Sequence, residues 1–303
     1  MKVRFGVRED PVSRARADRI AVALRAALRA SEPDGDDEVS VVAVTEVDDT
    51  DDAFDPSDLV AALRVALVSG ECDAVIHDAS TLSPKEPIDL EVVAYLPGRE
   101  ARMALCSDAG SLDALAPQSR VICPDVRVAA QVARLREDVT VEVDPRDASR
   151  LLRRQHEDDV AAVIVAAADL LALGESLEDR RLIEADELVP AAGQGAIVIE
   201  ARADAPEEIA SILGALDDPD TRSLVATERA VMSALGAVPG DPVSVYVERR
   251  GRDLHLRVRV TNASGTLVLN DSATVEAKDS EFLAENSAKL LKGRGAVRLM
   301  SMT

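Results

Sequence analysis

The chain has 303 residues, of which 47% are hydrophobic and 30% are charged. This balance is typical of globular proteins and excludes disordered and membrane-embedded chains. Its 56 acidic and 35 basic residues give a formal net charge of -21, which argues against nucleic-acid binding because such a surface repels phosphates.

The first third of the chain alternates predicted strands with predicted helices. The acidic run Asp48–Asp52 is interpreted as a solvated loop, and Asp55 as part of the start of the helix that follows it. In chain order we predict a strand at Lys2–Val7, a helix from Pro11 to Ala30, a strand at Val39–Val44, a helix at Leu59–Leu67, and strands at Cys72–Ile76 and Leu90–Leu96. This alternation predicts an α/β fold with a mostly parallel sheet and helices on both faces.

After Gly98 the same alternation starts again, as if a second α/β unit were inserted. Its predicted strands are Met103–Cys106, Arg120–Cys123, Val139–Val143 and Val160–Ala167, and its predicted helices are Val126–Leu135, Ala148–Gln155 and Leu170–Ala185. The three cysteines, Cys72, Cys106 and Cys123, lie in or beside apolar runs without metal-ligand spacing. We therefore expect buried free thiols in a reducing compartment.

A turn with two glycines, Gly193-Gln194-Gly195, precedes a predicted buried strand that ends at Glu200. The glycines allow positive φ and a close approach to another segment, while the Gln194 side chain offers both a donor and an acceptor. The rest of the chain predicts a small α+β domain. It consists of a helix at Thr221–Leu235, strands at Val243–Glu248, Leu254–Thr261 and Thr266–Ala273, and a helix at Ser280–Leu291.

The order of these landmarks resembles that of the porphobilinogen deaminases, also called hydroxymethylbilane synthases. The landmarks are Arg8 with Pro11, the strand that ends in His77, the segment Val163–Leu173, the Gly-Gln-Gly loop, and Glu228-Arg229-Ala230. The resemblance implies a three-domain α/β fold with two lobes similar to periplasmic binding proteins and a small α+β domain. The implied domains are 1–97 with 189–216, then 98–188, then 217–303.

Members of that family join four porphobilinogen units on a dipyrromethane primer, which is bound to one cysteine through a thioether. The chemistry requires a carboxylate near the developing cation, and arginines for the acetate and propionate groups of the substrate. The resemblance makes Arg8, Arg127, Arg150 and Gln194 the candidates for substrate binding. Each of the three arginines could equally be an ordinary surface residue.

This sequence departs from the family pattern at positions that carry the chemistry. Pro239 stands where the primer cysteine is expected, and residues 217–303 contain no thiol. Thr81 stands at the position of the catalytic aspartate, and Ser80 at that of a lysine. Asp78 lies three residues before Thr81, which on an extended segment directs it to the opposite face. Asp144 and Val128 replace two further arginines.

Two functions follow from the resemblance and these departures. The first is a homologue that is catalytically degenerate, has no cofactor, and retains a cleft for a carboxylated pyrrole, another small acidic molecule or a partner protein. The alternative is an active transferase with a non-covalent primer and a displaced carboxylate. In both we expect a cytoplasmic protein that does not bind membranes, since the chain has no apolar leader and no run of 18 apolar residues. We also expect a monomer, and the net charge argues against nucleic acid as a partner. We interpret His77 as structural, and Glu228 with Arg229 as either an interdomain ion pair or catalytic.

Overall fold

The computed structural model describes residues 2–31, 38–44, 56–85, 87–178 and 180–302. The acidic run Asp48–Asp52 and Asp55 lie outside the described residues. The strands are β1 (Lys2–Val7), β2 (Glu38–Ala43), β3 (Ala74–Asp78), β4 (Leu90–Tyr95), β5 (Met103–Cys106), β6 (Arg120–Cys123), β7 (Thr140–Val143), β8 (Val160–Ala166), β9 (Arg181–Ile183), β10 (Ile197–Arg202), β11 (Val243–Arg250), β12 (Asp253–Thr261) and β13 (Val268–Glu276). The α-helices are α1 (Pro11–Ser31), α2 (Pro56–Val68), α3 (Val126–Leu135), α4 (Ala148–Arg154), α5 (Ala167–Ala172), α6 (Glu207–Gly214), α7 (Pro219–Leu235), α8 (Ser280–Gly293) and α9 (Ala296–Met300).

The first compact unit comprises Met1–Arg99 and Ala196–Arg222. Its sheet has the strand order β2-β1-β3-β10-β4. Strand β1 pairs in parallel with β2 and β3, whereas β10 pairs antiparallel with both β3 and β4. The expected mostly parallel sheet is therefore wrong in this respect: the sheet is mixed, because a strand from much later in the chain enters it in the reverse direction.

Helices cover both faces of this first sheet, as the sequence predicts. On one face, Phe5 of β1 and Ile76 of β3 belong to a buried apolar cluster with Leu24 of α1 and Leu213 of α6. On the other face, Val75 belongs to a second cluster, together with the α2 residues Leu63 and Leu67. Adjacent residues of β3 serve opposite clusters because side chains alternate along a strand.

The second compact unit comprises Glu100–Gly195 and Ser223–Thr303. One of its sheets has the order β7-β6-β8-β5-β9, with β6 parallel to β7 and β8, and β5 antiparallel to β8 and β9. Val128 and Val132 of α3 pack against this sheet. The other sheet is the antiparallel β11-β12-β13, whose core includes residues of α7, α8 and α9.

The α/β fold class is confirmed, but the predicted helix Leu170–Ala185 is wrong. Helix α5 ends at Ala172, and the same stretch contains β9 at Arg181–Ile183. Gly174 adopts φ +80, and the amide of Glu175 donates to the carbonyl of Leu170. This pattern ends helices because glycine enters the left-handed region without steric cost. The boundaries proposed for three domains stay a prediction.

No helix in the described ranges combines the length and the apolar character that crossing a bilayer would require.

Candidate functional site

A polar pocket of about 50 Å³ lies in the first unit. Its polar wall is formed where β1 leads into α1 and where β3 ends, and α2 closes it with apolar side chains. The polar side chains that line it are Arg8, Ser13, Arg16, His77, Asp78 and Thr81. Four residues that the sequence analysis discusses thus lie at one pocket: Arg8, His77, Asp78 and Thr81.

Asp10 fixes the geometry of the turn that carries Arg8. Its Oδ1 accepts a hydrogen bond from the amide of Ser13 at 2.8 Å, and its Oδ2 accepts from the Ser13 hydroxyl at 2.6 Å. This is the capping arrangement expected at the start of a helix. The same Oδ2 lies 3.1 Å from Arg8 Nε, so the guanidinium at the pocket is held by an ion pair.

The segment after β3 is not extended, and the placement of Asp78 on the face opposite Thr81 is wrong. Residues 79–81 form a 3₁₀ turn capped by Asp78, whose Oδ1 accepts from the amide and the hydroxyl of Ser80. In such a turn residues i and i+3 share a face, and both Asp78 and Thr81 line the pocket. Asp78 Oδ2 lies 3.6 Å from Arg16 Nη2, while Thr81 Oγ1 donates to the Asp78 carbonyl at 2.8 Å.

A fully buried carboxylate, Glu200 of β10, contacts one wall residue of this pocket. Arg64 of α2 donates to it through Nε at 2.9 Å and through Nη2 at 2.7 Å, and His77 Nε2 lies 3.3 Å from Oε2. Burial opposes ionisation, but the interactions with His77 and Arg64 outweigh it and hold the pKa of Glu200 at about 2. The carboxylate therefore stays ionised at neutral pH.

In the second unit, Gln194 and Arg127 contact each other. Arg127 Nη2 donates to Gln194 Oε1 at 3.2 Å and to Asp125 Oδ2 at 2.9 Å. Gln194 Oε1 also accepts from the amide of Ala191, and Gln194 Nε2 donates to the Ala101 carbonyl. Both side chains are more than 90% buried. Their polar atoms stabilise the loop itself.

The glycines of this loop meet the requirement predicted from the sequence. Gly193 has φ +78 and Gly195 has φ +74. A Cβ atom on Gly195 would lie only 1.9 Å from the carbonyl oxygen of Glu100, so the close approach of two backbones excludes any side chain there.

Glu228 is fully buried and binds backbone amides. Its Oε2 accepts from Gly193 at 2.7 Å, and its Oε1 accepts from Val247 at 2.7 Å. The carboxylate thus connects the Gly-Gln-Gly loop with β11, a role that neither interpretation of Glu228 from the sequence includes.

Arg150 lies on α4, whose N-terminus is capped by Asp147. Nearby, Asp144 stands at a position where the resemblance implies arginine. It is 5% exposed, and its Oδ2 accepts from Arg154 Nη1 at 2.8 Å. An arginine from α4 therefore neutralises the acidic replacement.

Pro239 is exposed in a turn in which the Val238 amide donates to Asp241. All three cysteines are buried and free. Burial raises the pKa of Cys72 to about 11 and also raises those of Cys106 and Cys123. These thiols remain protonated near neutral pH and are unsuited to forming a thioether. Within the described part of the chain, no three potential ligand side chains are grouped to hold a metal ion.

Three residues at or beside the pocket were missed from the sequence. Arg16 lines the pocket, whereas Arg64 and Glu200 form the buried ion pair that contacts His77 from behind. A usable signal existed for Glu200, because an acidic residue inside an apolar strand requires a cation in the folded protein. Arg16 follows Ser13 by three residues, which places both on one face of α1. The acidic residue in an apolar strand does not show which cation pairs with it. That Arg64 is the partner of Glu200 depends on the order of the strands in the sheet.

A family model described as "Porphobilinogen deaminase, dipyromethane cofactor binding domain" matches residues 3–210. The porphobilinogen deaminase of Acidothermus cellulolyticus is 33% identical, over 98% of this chain and 91% of its own length. That of a Roseiflexus species (strain RS-1) is 35% identical, over 69% of each chain. Among solved structures, the methionine-binding protein MetQ aligns with a TM-score of 0.47 at 13% identity, over 75% of this chain and 94% of its own.

The expectation that this chain takes no cofactor is wrong, because the matched model is that of a dipyrromethane-binding domain and covers the residues that line the pocket of the first unit.

Proposed function

Because this chain belongs to the porphobilinogen deaminase family, we propose that it is a catalytically degenerate homologue that binds dipyrromethane or a related carboxylated pyrrole without a covalent bond. Such ligands carry carboxylates, which guanidinium groups bind through paired hydrogen bonds. Arg8 and Arg16 lie at the pocket of the first unit and are its candidates for that role.

The observation that carries this proposal is that a threonine, Thr81, stands where the family has its catalytic aspartate. The hydroxyl of Thr81 donates to the carbonyl of Asp78, and a hydroxyl does not ionise near neutral pH. It therefore supplies no anion to the cation that develops when ammonia leaves a porphobilinogen unit. Pro239 supplies no nucleophile for a thioether, and the buried cysteines supply no thiolate.

The test begins with the purified full chain and porphobilinogen. Intact mass would reveal a covalent adduct, and uroporphyrin measured after oxidation would reveal turnover. We expect neither, whereas a synthetic dipyrromethane carboxylate should raise the melting temperature because it binds the native state. Turnover or an adduct would contradict degeneracy, and the lack of any thermal shift would contradict retained binding.

Two variants of α1 show whether the binding uses the pocket. Arg16 lines the pocket, whereas Arg14 is exposed on the same helix and does not. Arg16→Gln should reduce the ligand-induced shift, and Arg14→Gln should retain it. Equal shifts in both variants would place the ligand elsewhere.

The position of Asp78 favours a second candidate function, an active transferase with a displaced carboxylate. The Asp78 carboxylate lines the same pocket as Thr81 and lies near the Arg16 guanidinium. If the wild-type chain produces uroporphyrin, this candidate requires that Asp78→Asn abolish turnover while dipyrromethane binding persists. Thr81→Asp would then raise turnover, since it returns a carboxylate to the family position.

For its setting, we propose a monomer in the cytoplasm that binds neither nucleic acid nor membrane. The net charge of -21 supports the absence of nucleic-acid and membrane binding, because it disfavours contact with nucleic acids and anionic lipids. Size-exclusion chromatography with light scattering tests the oligomeric state. A stable dimer at micromolar concentration would contradict it.

A further inference from the structure

A second cavity, of about 210 Å³, lies within the second unit and plays no part in the proposed function. One side is formed by the end of α3 and the turn after it, and the other by the polar face of β12 and β13. Its lining residues are Gln131, Arg134, Leu135, Glu137, Arg259 and Asn270.

Arg259 of β12 is held in place by neutral groups only. Its Nε donates to Asn270 Oδ1 at 2.9 Å, and its Nη1 donates to Gln131 Oε1 at 2.8 Å and to the Glu187 carbonyl at 3.0 Å. Among the described residues no carboxylate pairs with this guanidinium, and its Nη2 has no hydrogen-bond partner. A half-buried cation without a counter-ion has lost part of its hydration and gains no ion-pair energy in return. A bound anion would supply that energy.

Gln131 makes this arrangement rigid. The side chain is 1% exposed, and its Nε2 donates to the Val189 carbonyl and to Ser244 Oγ, while its Oε1 accepts from the Val189 amide. Arg259 is therefore positioned by a fixed amide and does not need to reorganise when a ligand arrives.

Arg134 adds a second positive charge to the same cavity. It is exposed, and it makes no ion pair within the described ranges. Both arginines line the cavity. Burial lowers the pKa of Arg259, and the neighbouring charge of Arg134 lowers it further. Glu137 also lines the cavity, but the described structure contains no ion pair between it and either arginine.

Arg257 and Arg259 differ in their ion pairs, although they lie two positions apart on the same face of β12. Arg257 pairs with Asp186, and its Nη1 lies 2.9 Å from Glu248. In a chain with 21 excess negative charges, one arginine of this face is neutralised and its neighbour is not.

We propose that this cavity binds a phosphate-class oxyanion, either free phosphate or the phosphate group of a monoester. A dianion compensates two guanidinium charges. Its tetrahedral oxygens can also accept donors that approach from a helix and from a strand in different planes, whereas a planar carboxylate offers only two oxygens.

Isothermal titration calorimetry of the full chain with inorganic phosphate, at constant ionic strength, tests the proposal. We expect saturable binding at one site per chain, and about tenfold weaker binding in Arg134→Gln, since one charge-assisted contact is lost. Arg298→Gln, which removes an exposed arginine of α9, is the matched control and should bind as the wild type does.

The remaining arms decide the chemistry. Glycerol 3-phosphate binding in place of phosphate would identify a monoester site, and binding of phosphate alone a free-ion site. Acetate that binds as tightly as phosphate would overturn the phosphate assignment. Absence of saturable binding, or equal binding by wild type and Arg134→Gln, would overturn the site. Arg259→Gln also removes structural hydrogen bonds, so Arg134→Gln is the decisive variant because its side chain makes no such bonds.

Discussion

A buried carboxylate loses its favourable interactions with water. In Glu200 the contacts with Arg64 and His77 compensate that loss. Glu200→Gln removes the negative charge and leaves the Arg64 guanidinium unpaired beside an amide. We expect the variant to lose about 3 kcal/mol of unfolding free energy, measured by urea denaturation. Asp204→Asn, which affects an exposed ion pair with Arg202, should change it by less than about 0.5 kcal/mol. Comparable losses in both variants would contradict the role given to Glu200.

The same residue predicts a dependence of stability on acid. The folded-state pKa of Glu200, about 2, lies below the ordinary value of 4.5, so the unfolded chain binds the proton more tightly. The stabilisation is complete above the unfolded-state pKa and is lost as the pH falls from about 5 towards 2. Unfolding free energies measured across this range should decline less steeply in Glu200→Gln than in the wild type. Parallel profiles would contradict the assignment.

Glu228 presents two acceptor oxygens to two backbone amides, those of Gly193 and Val247. Glutamine has only one such oxygen, so in Glu228→Gln an amide NH₂ must face an N–H donor. We expect a loss of about 2 kcal/mol and faster hydrogen exchange at Gly193 or Val247. Glu285→Gln, on the exposed side of α8, is the control. Unchanged exchange at both amides would show that the carboxylate is dispensable.

A position can require glycine for its positive φ or because no space exists for a Cβ atom. Within the Gly-Gln-Gly loop, Gly195 shows both requirements. Gly195 and Gly110 have nearly the same φ, +74 and +75, but a Cβ would clash with Glu100 only at Gly195 and would meet no atom within 4 Å at Gly110. Gly110→Ala should cost about 1 kcal/mol for its backbone conformation. Gly195→Ala should cost at least about 3 kcal/mol, because backbone must move. Similar melting temperatures for the two variants would contradict the close approach.

Elements with a clear apolar pattern could be predicted from the sequence, as the amphipathic helix α3 and the continuous apolar run of β5 illustrate. The prediction failed where local geometry is decided by a few backbone hydrogen bonds. Helix-forming residues continue beyond Gly174, so the period alone does not show that the chain turns there. Likewise, the 3₁₀ turn after Asp78 depends on capping by the Asp78 side chain. Treating the segment as a continuation of the strand therefore gave the wrong geometry.

The candidate site was predictable only in part, for a reason that belongs to the whole molecule. The family motifs identified Arg8 and Thr81, which line one pocket. The pair of Arg64 and Glu200 joins residues 136 positions apart and follows from the insertion of β10 between β3 and β4. Periodicity does not encode strand order, so no local pattern indicates this pair.

The net charge of -21 predicts a response of the whole chain to salt. Like charges repel more strongly in the compact state, and salt screens that repulsion. Raising sodium chloride from about 0.05 to about 0.5 M should therefore raise the melting temperature by a few degrees. Arg134→Gln should respond to sodium chloride as the wild type does, since the effect is not specific to one site. A melting temperature that falls with salt would show that attractive ion pairs dominate.

The position of β10 also bears on how the protein emerges from the ribosome. Strands β1 to β4 are synthesised within the first 95 residues, but the strand that joins β3 to β4 ends only at Arg202. Until β10 is synthesised, the edge of β3 and the edge of β4 that it covers in the native sheet lack their partner strand. Unpaired edges of this kind are potential sites of association with other nascent chains. A translational pause after about residue 100 would lengthen that exposure, whereas rapid elongation through the second α/β segment shortens it. The yield of native protein should thus depend on codon choice between residues 100 and 202.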